Sequence, residues 1–199
     1  MTRWYTEKKK EHYYKEAKRL HYRARSAFKL KQIQNKFKII HKNDLVIDLG
    51  AAPGGWSQVA KEIVGEQGIV IGIDLEKIKP IKGITFLQDD LTEHSTINKI
   101  KLTVGERQAD TILSDMSPNI SGNYSIDQAR SIYLCEHSLK LADIFLKPGG
   151  NLICKAFVGE DLENFLRKIR HRFKMVKQFS PKASRKTSSE TYIIAKFHF

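Results

Sequence analysis

The chain has only two cysteines, Cys135 and Cys154, which make no CxxC pair and no ligand cluster, so disulfide and metal readings find little support. Buried free thiols are expected, and no metal. Any apolar run of about 18 residues or more is also missing, and the opening MTRWYTEKKK is basic and polar, unlike a charged-then-apolar leader. A soluble, cytoplasmic protein without a membrane partner is therefore expected. No internal repeat or low-complexity block breaks the sequence. The length suits one domain, typically ~100 to 200 residues, spanning 1–199 with a basic extension over about 1–24. The remaining absence is local. A dinucleotide fingerprint needs glycine at three positions, and the register Gly50, Ala52, Gly55 fails at the second, where a pyrophosphate touches backbone.

What is present begins with VIDLGAAPGGW, Val46 to Trp56: an apolar strand reaching Asp48, a glycine-rich turn, then a helix. Gly50, Gly54 and Gly55 free the backbone to approach a ligand, and the helix start aims N–H groups into the crevice. Three further strands end on carboxylates. GIVIGIDL reaches Asp74, roughly 20 residues beyond the glycines, where an acid grips a ribose diol. ITFLQDDL ends on Asp89 and Asp90, one a candidate acceptor for an adenine amino group and the other a cap for the next segment. ADTILSDMSP delivers Asp115. Each aspartate alone is more often a turn or cap residue. Together with the glycine turn they suit a cationic adenosyl ligand without pyrophosphate, S-adenosyl-L-methionine.

The net charge of +13 is unevenly distributed. Residues 1–42 hold 14 Lys and Arg against 3 acids, and residues 167–199 hold 10 against 1, while the middle is acidic with 11 against 18. Two basic ends flanking an acidic crevice form a polyanion footprint, with Trp4, Tyr5, Tyr13, Tyr14 and Tyr22 interleaved. A lysine run such as Lys8–Lys10 is by itself usually a solvated face. The asymmetry favours RNA, and no broad apolar face suggests an interfacial helix.

The rest alternates. RSAFKLKQIQNKF, Arg25 to Phe37, reads as an amphipathic helix through Ala27, Leu30, Ile33 and Gln34. After the loop MSPNISGN, Ser125 and Gln128 match a capping box for a long helix whose stripe is Ile132, Cys135, Leu139, Ala142 and Phe145. Lys147–Gly150 stops that helix. NLICKAF is a strand, Glu160 to Arg170 a helix and FKMVKQF a strand, and TYIIAKFHF is an alternating last strand at or near an edge. KASRKTSS, Lys182 to Ser189, is a polar, mobile loop. Lys155 interrupts the apolar strand LICKAF, so it either reaches water at the strand end or is paired; if buried and neutral, its amine is available as a base.

In this order, RSAFKL, VIDLGAAPGGWSQVA, DMSPNISG and LICKAF resemble the FtsJ/RrmJ family of RNA ribose 2'-O-methyltransferases, from about Tyr22 to the C-terminus. The resemblance implies the Rossmann-like, S-adenosylmethionine-dependent methyltransferase fold: α/β, a seven-stranded, mostly parallel sheet with the last strand inserted antiparallel and helices on both faces. It places the family's catalytic Lys, Asp, Lys, Glu set on Lys29, Asp115, Lys155 and Glu190, and cofactor contacts on Gly54, Trp56, Asp74, Asp90 and Asp115. The family's loop reads DMAPNMSG, so Ser117 and Ile120 depart from it. ASRKTSSE is less arginine-rich than the family's RSRSRE, which touches RNA contacts and not the chemistry.

Small basic members of this family imply methylation of a uridine in the aminoacyl-site loop of 23S ribosomal RNA, with the large ribosomal subunit as partner and a monomeric enzyme. The alternatives are a transfer-RNA anticodon-loop 2'-O-methyltransferase, or a non-catalytic RNA-binding assembly factor, against which retention of all four residues speaks. An NAD-dependent oxidoreductase is disfavoured by Ala52.

Overall fold

The computed structural model describes residues 13–184 and 189–199. Trp4, Tyr5, the Lys8–Lys10 run and residues 185–188 of the KASRKTSS loop lie outside the described residues. Strands β1 (Leu45–Leu49), β2 (Ile69–Asp74), β3 (Thr85–Gln88), β4 (Ala109–Ser114), β5 (Leu146–Phe157), β6 (Phe173–Phe179) and β7 (Glu190–His198) form one seven-stranded sheet in the order β3-β2-β1-β4-β5-β7-β6. The first five run parallel, and β7 enters antiparallel between β5 and β6.

The helices are α1 (Ala27–Phe37), α2 (Gly55–Val64), α3 (His94–Val104), α4 (Tyr124–Phe145) and α5 (Leu162–Arg170), with a further helical stretch at 13–19. Alternate strand residues feed two cores. Leu45, Ile47 and Leu49 of β1 join the cluster under α3, α4 and α5; Val46 joins the cluster under α1 and α2, with Leu30, Ile33 and Val59. The sheet is therefore covered on both faces, and β1, buried at every position, reads as a continuous apolar run for that reason.

Four details differ from the sequence expectation. Helix α3 has no counterpart there, because HSTINKIKLTV buries only Thr96, Ile97 and Ile100 and carries too narrow an apolar stripe to stand out. Helix α4 starts at Tyr124 with Asn123 as its cap: the Asn123 side chain accepts from the N–H groups of Ser125 and Ile126, so Ser125 lies inside the helix. The Lys147–Gly150 segment follows the helix end at Phe145 as expected, yet it already belongs to β5. Strand β7 lies near the edge as expected, one in from it, but is buried from Thr191 to Ala195 and does not alternate, because Tyr192 and Ile194 face one core while Ile193 and Ala195 face the other.

Candidate active site

The strand order reverses between β1 and β4, and in an open α/β sheet the crevice beyond the strand carboxyl ends at such a point is the ligand site. Leu49 pairs with Ser114, so the turn after β1 and Asp115 after β4 leave the sheet side by side. Gly50, at φ +71°, is required there: a Cβ would lie 2.6 Å from the Met116 side chain and 3.2 Å from its Cα. Gly54, at φ +110°, is the N-cap of α2, and no side chain caps that helix, so its first turn presents backbone donors to the crevice. Asp74 braces this turn, with one carboxylate oxygen accepting from the Ala52 N–H at 2.9 Å and the other from Glu76 at 2.9 Å. Asp90 accepts from the Thr92 N–H and hydroxyl with Oδ1, which holds its carboxyl below the usual range. Asp89 is the partner of Lys99 at 2.5 Å. The Trp56 indole is 2% exposed, donates to the Ser26 carbonyl at 2.9 Å and packs 5.6 Å from the Tyr192 ring, so its side chain belongs to the core under α1 and α2.

Asp48, at the end of β1, is fully buried beneath the turn. Its Oδ2 accepts from the Ser57 hydroxyl at 2.6 Å while Oδ1 has no partner. Burial pushes its carboxyl from 3.8 up to about 7, against the Ser57 hydrogen bond, with Asp115 and Asp74 adding to the rise. The field of Asp115 and Asp74 is thus felt at Asp48, and a crevice edged by these two acids suits a cation and is hostile to a pyrophosphate.

On the other side of Asp115, β5 and β7 bring further groups together. Lys155 Nζ donates to the Asp115 carbonyl at 2.5 Å and lies 3.2 Å from Asp115 Oδ1, with 7% of its side chain exposed. Of the two sequence-level options, the paired lysine is the one observed. Lys29, in the first turn of α1, meets Glu190, the first residue of β7, at 2.6 Å. Burial works to raise the Glu190 carboxyl, but the attraction and hydrogen bond of Lys29, with smaller help from Ser184 and Lys155, bring it below the usual range. The four residues singled out from sequence thus converge as two ion pairs from α1, the end of β4, β5 and β7.

Tyr192 joins the pairs, and sequence reasoning misses it. It stands opposite Lys155 in the β5–β7 ladder, donates its hydroxyl to Asp115 Oδ1 at 2.7 Å, and has Lys29 Nζ 5.6 Å from its ring centre. Burial, with Asp115 and Glu190 nearby, pushes its phenol well above the ordinary value, so it stays a donor. A signal is present in the chain: Tyr192 is two residues from Glu190, hence on the same face of the strand. Among the described residues, no group of three His, Cys, Asp or Glu side chains could hold a metal ion, and Cys135 and Cys154 are buried free thiols.

A sheet in this order, with an uncapped glycine turn and acids at successive strand ends, defines an α/β methyltransferase fold. The model of the FtsJ-like methyltransferase family matches residues 22–198, and the chain belongs to that family. Proteins named ribosomal RNA large subunit methyltransferase E are similar along nearly the whole chain. The one from Methanothrix thermoacetophila is 48% identical over 187 residues, 94% of this chain and 72% of the relative. Those from Methanocaldococcus jannaschii and Methanobrevibacter smithii are 44% and 45% identical, covering 98% and 97% of this chain and 81% and 92% of theirs. A solved structure described as a ribosomal RNA methyltransferase from Plasmodium falciparum superposes with a TM-score of 0.80 at 28% identity, over 89% of this chain and 98% of that one.

Proposed function

We propose that the protein is an S-adenosylmethionine-dependent RNA ribose 2'-O-methyltransferase acting in the cytoplasm on a uridine in the aminoacyl-site loop of 23S ribosomal RNA. The observation that carries this reading is the convergence of Lys29, Asp115, Lys155 and Glu190 beside the acid-lined crevice. The relatives named for large-subunit ribosomal RNA support the substrate class. The crevice fits the cofactor: the α2 N-terminus and Gly54 allow close approach, Asp74 and Asp90 offer acceptors to ribose and adenine, and the acids at the strand ends favour a cationic ligand. When bound, S-adenosylmethionine supplies a methyl group on a sulfonium, so transfer leaves a neutral thioether.

The chain's residues then have an acceptor hydroxyl to prepare. Two of the three hydrogen-bonding directions of Lys155 Nζ point to Asp115 Oδ1 and carbonyl O, which leaves the third for a ribose hydroxyl. In this reading Lys155 serves as general base once its own proton has left, taking the hydroxyl proton there as the new O–C bond forms. Asp115, held by Tyr192, keeps the amine in register, and the Lys29–Glu190 pair positions the ribose. By fixing the ribose oxygen, these residues would supply the alignment with the methyl donor that carries much of the rate enhancement.

Incubation with labelled S-adenosylmethionine and, in parallel, large subunits and transfer RNA from a strain lacking this gene, followed by nucleoside mapping of both, tests the assignment. Label in a 2'-O-methyluridine of the aminoacyl-site loop is expected. Label confined to transfer-RNA anticodon loops would move the substrate, and no transfer to RNA would reject the enzyme. Lys155→Ala abolishes methylation while cofactor binding survives; undiminished turnover would remove Lys155 from the chemistry.

A further inference from the structure

The loop 116–123 leaves the sheet at Asp115 and is firmly fastened. The Asp127 carboxylate accepts from the Ser121 N–H and hydroxyl, each at 2.8 Å, and from the Gly122 N–H at 3.2 Å, while Arg130 donates to the Asn119 carbonyl at 3.2 Å. The loop ends at Tyr124, whose hydroxyl donates to the carbonyl of Val158. Val158 lies three residues beyond Lys155, and its own N–H bonds the carbonyl of Ser189, next to Glu190, at 2.9 Å. One tyrosine therefore joins the tips of two arms whose feet hold Asp115 and Lys155, beside the strand that carries Glu190.

This ring is 56% exposed, and Ile120 and Val158 on the same arms are 64% and 48% exposed. Isolated exposed apolar residues are ordinary. Tyr124 differs because its backbone is held in the first turn of a capped helix and its hydroxyl is tied across the arch, so the ring is ordered before any ligand arrives. Its position selects the ligand. Asp74 and Asp90 follow β2 and β3, on one side of β4, whereas Val158 follows β5 on the other. Tyr124 thus belongs to the acceptor side of the crevice. Lys155 to Val158 is about 10 Å of extended chain, within reach of a nucleotide at the site or its immediate neighbour. A pinned aromatic face close to paired lysines matches single-stranded RNA, whose bases stack on aromatic side chains while the backbone meets cations.

We propose that Tyr124 is a stacking platform for an unpaired nucleobase of the RNA acceptor, setting substrate affinity and not the methyl-transfer step. The inference rests on the RNA methyl-transfer reading above. The test uses the full chain, labelled S-adenosylmethionine and large subunits from a strain lacking this gene, comparing wild type with Tyr124→Phe, Tyr124→Trp and Tyr124→Ala. Tyr124→Ala is expected to raise KM for the subunits about tenfold, toward the lower end of base–aromatic stacking, with kcat and the calorimetric Kd for S-adenosylmethionine unchanged within about twofold. Tyr124→Phe and Tyr124→Trp, which keep the π face and lose only the ordering that the phenol tether adds, raise KM by no more than about threefold. A loss in Tyr124→Phe equal to that in Tyr124→Ala would make the hydroxyl tether the whole effect and overturn the platform, as would no change in Tyr124→Ala. Should Tyr124→Ala fail to bind S-adenosylmethionine, Tyr124→Leu replaces it, keeping bulk without a π face, and the same KM rise is required. Wild type that transfers no methyl to RNA defeats the underlying reading, and the platform with it; an active wild type with indifferent variants defeats the platform alone.

Discussion

Asp48 is the residue whose ionisation is most at odds with its surroundings. Its carboxyl is raised from 3.8 to about 7 by burial, so the folded protein holds a proton there that the unfolded chain releases at lower pH. The folded state binds more protons across that window, so this contribution to stability is fully present below about pH 4 and is lost as pH rises through about 7, by an amount on the order of a few kcal/mol. Asp48→Asn, which stays neutral, is expected to remove this dependence: urea unfolding should show the variant gaining on wild type between about pH 5 and pH 8. An unchanged difference across that range would mean that Asp48 is solvated better than its burial implies. Tyr192 sits at the same scale. Tyr192→Phe leaves Asp115 Oδ1 to Lys155 alone, and loss of one hydrogen bond to a charged group predicts kcat about tenfold lower with the melting profile kept. Equal turnover would reduce Tyr192 to packing.

Among the elements, the connection between the segment before α1 and the turn before α2 has the clearest consequence. Arg23 donates to the carbonyls of Pro53 at 3.3 Å, Pro80 at 2.8 Å and Lys79, while its N–H and the His21 carbonyl bracket the Gln58 amide. The guanidinium therefore holds the glycine turn from outside. Arg23→Ala is expected to weaken S-adenosylmethionine binding about tenfold, the worth of one charge-assisted hydrogen bond, in a calorimetric titration; an unaltered Kd would show that the turn keeps its shape unaided. Helix α2 also owes its seat to Trp56. Trp56→Ala, at 2% exposure, is expected to cost about 3–5 kcal/mol in denaturant unfolding.

Across the whole molecule, the two basic ends of the chain meet. Helix α1 joins the later basic segment through Lys196 Nζ on the Phe37 carbonyl at 3.0 Å, the Phe37–Phe179 edge contact at 5.4 Å and Lys36 over the Phe179 ring at 4.6 Å. Charges separated by more than a hundred residues thus share one side of the sheet, where α1 packs. Phosphate contacts release counterions, so RNA affinity should fall about a hundredfold between about 50 and 200 mM salt on a straight double-logarithmic plot. S-adenosylmethionine binding should barely move. A flat RNA curve would put recognition in base contacts alone. Among the described residues, no helix is long and apolar enough to cross a membrane.

The sequence by itself determined the alternation of elements and the acids at the strand ends, because period, glycine spacing and local order are properties of neighbours in the chain, while the set of four residues was legible only through the family resemblance. Helix α3 escapes a sequence reading for the same reason: its apolar stripe is narrow, and its stability comes from the sheet it covers. Only the tertiary structure decided that Lys155 is paired with Asp115, that Tyr192 sits between the two ion pairs, and that Asp48 holds its proton toward neutral pH. Those facts depend on which strand lies beside which and on how much water remains between distant charges, and neither quantity is written in any single stretch of residues.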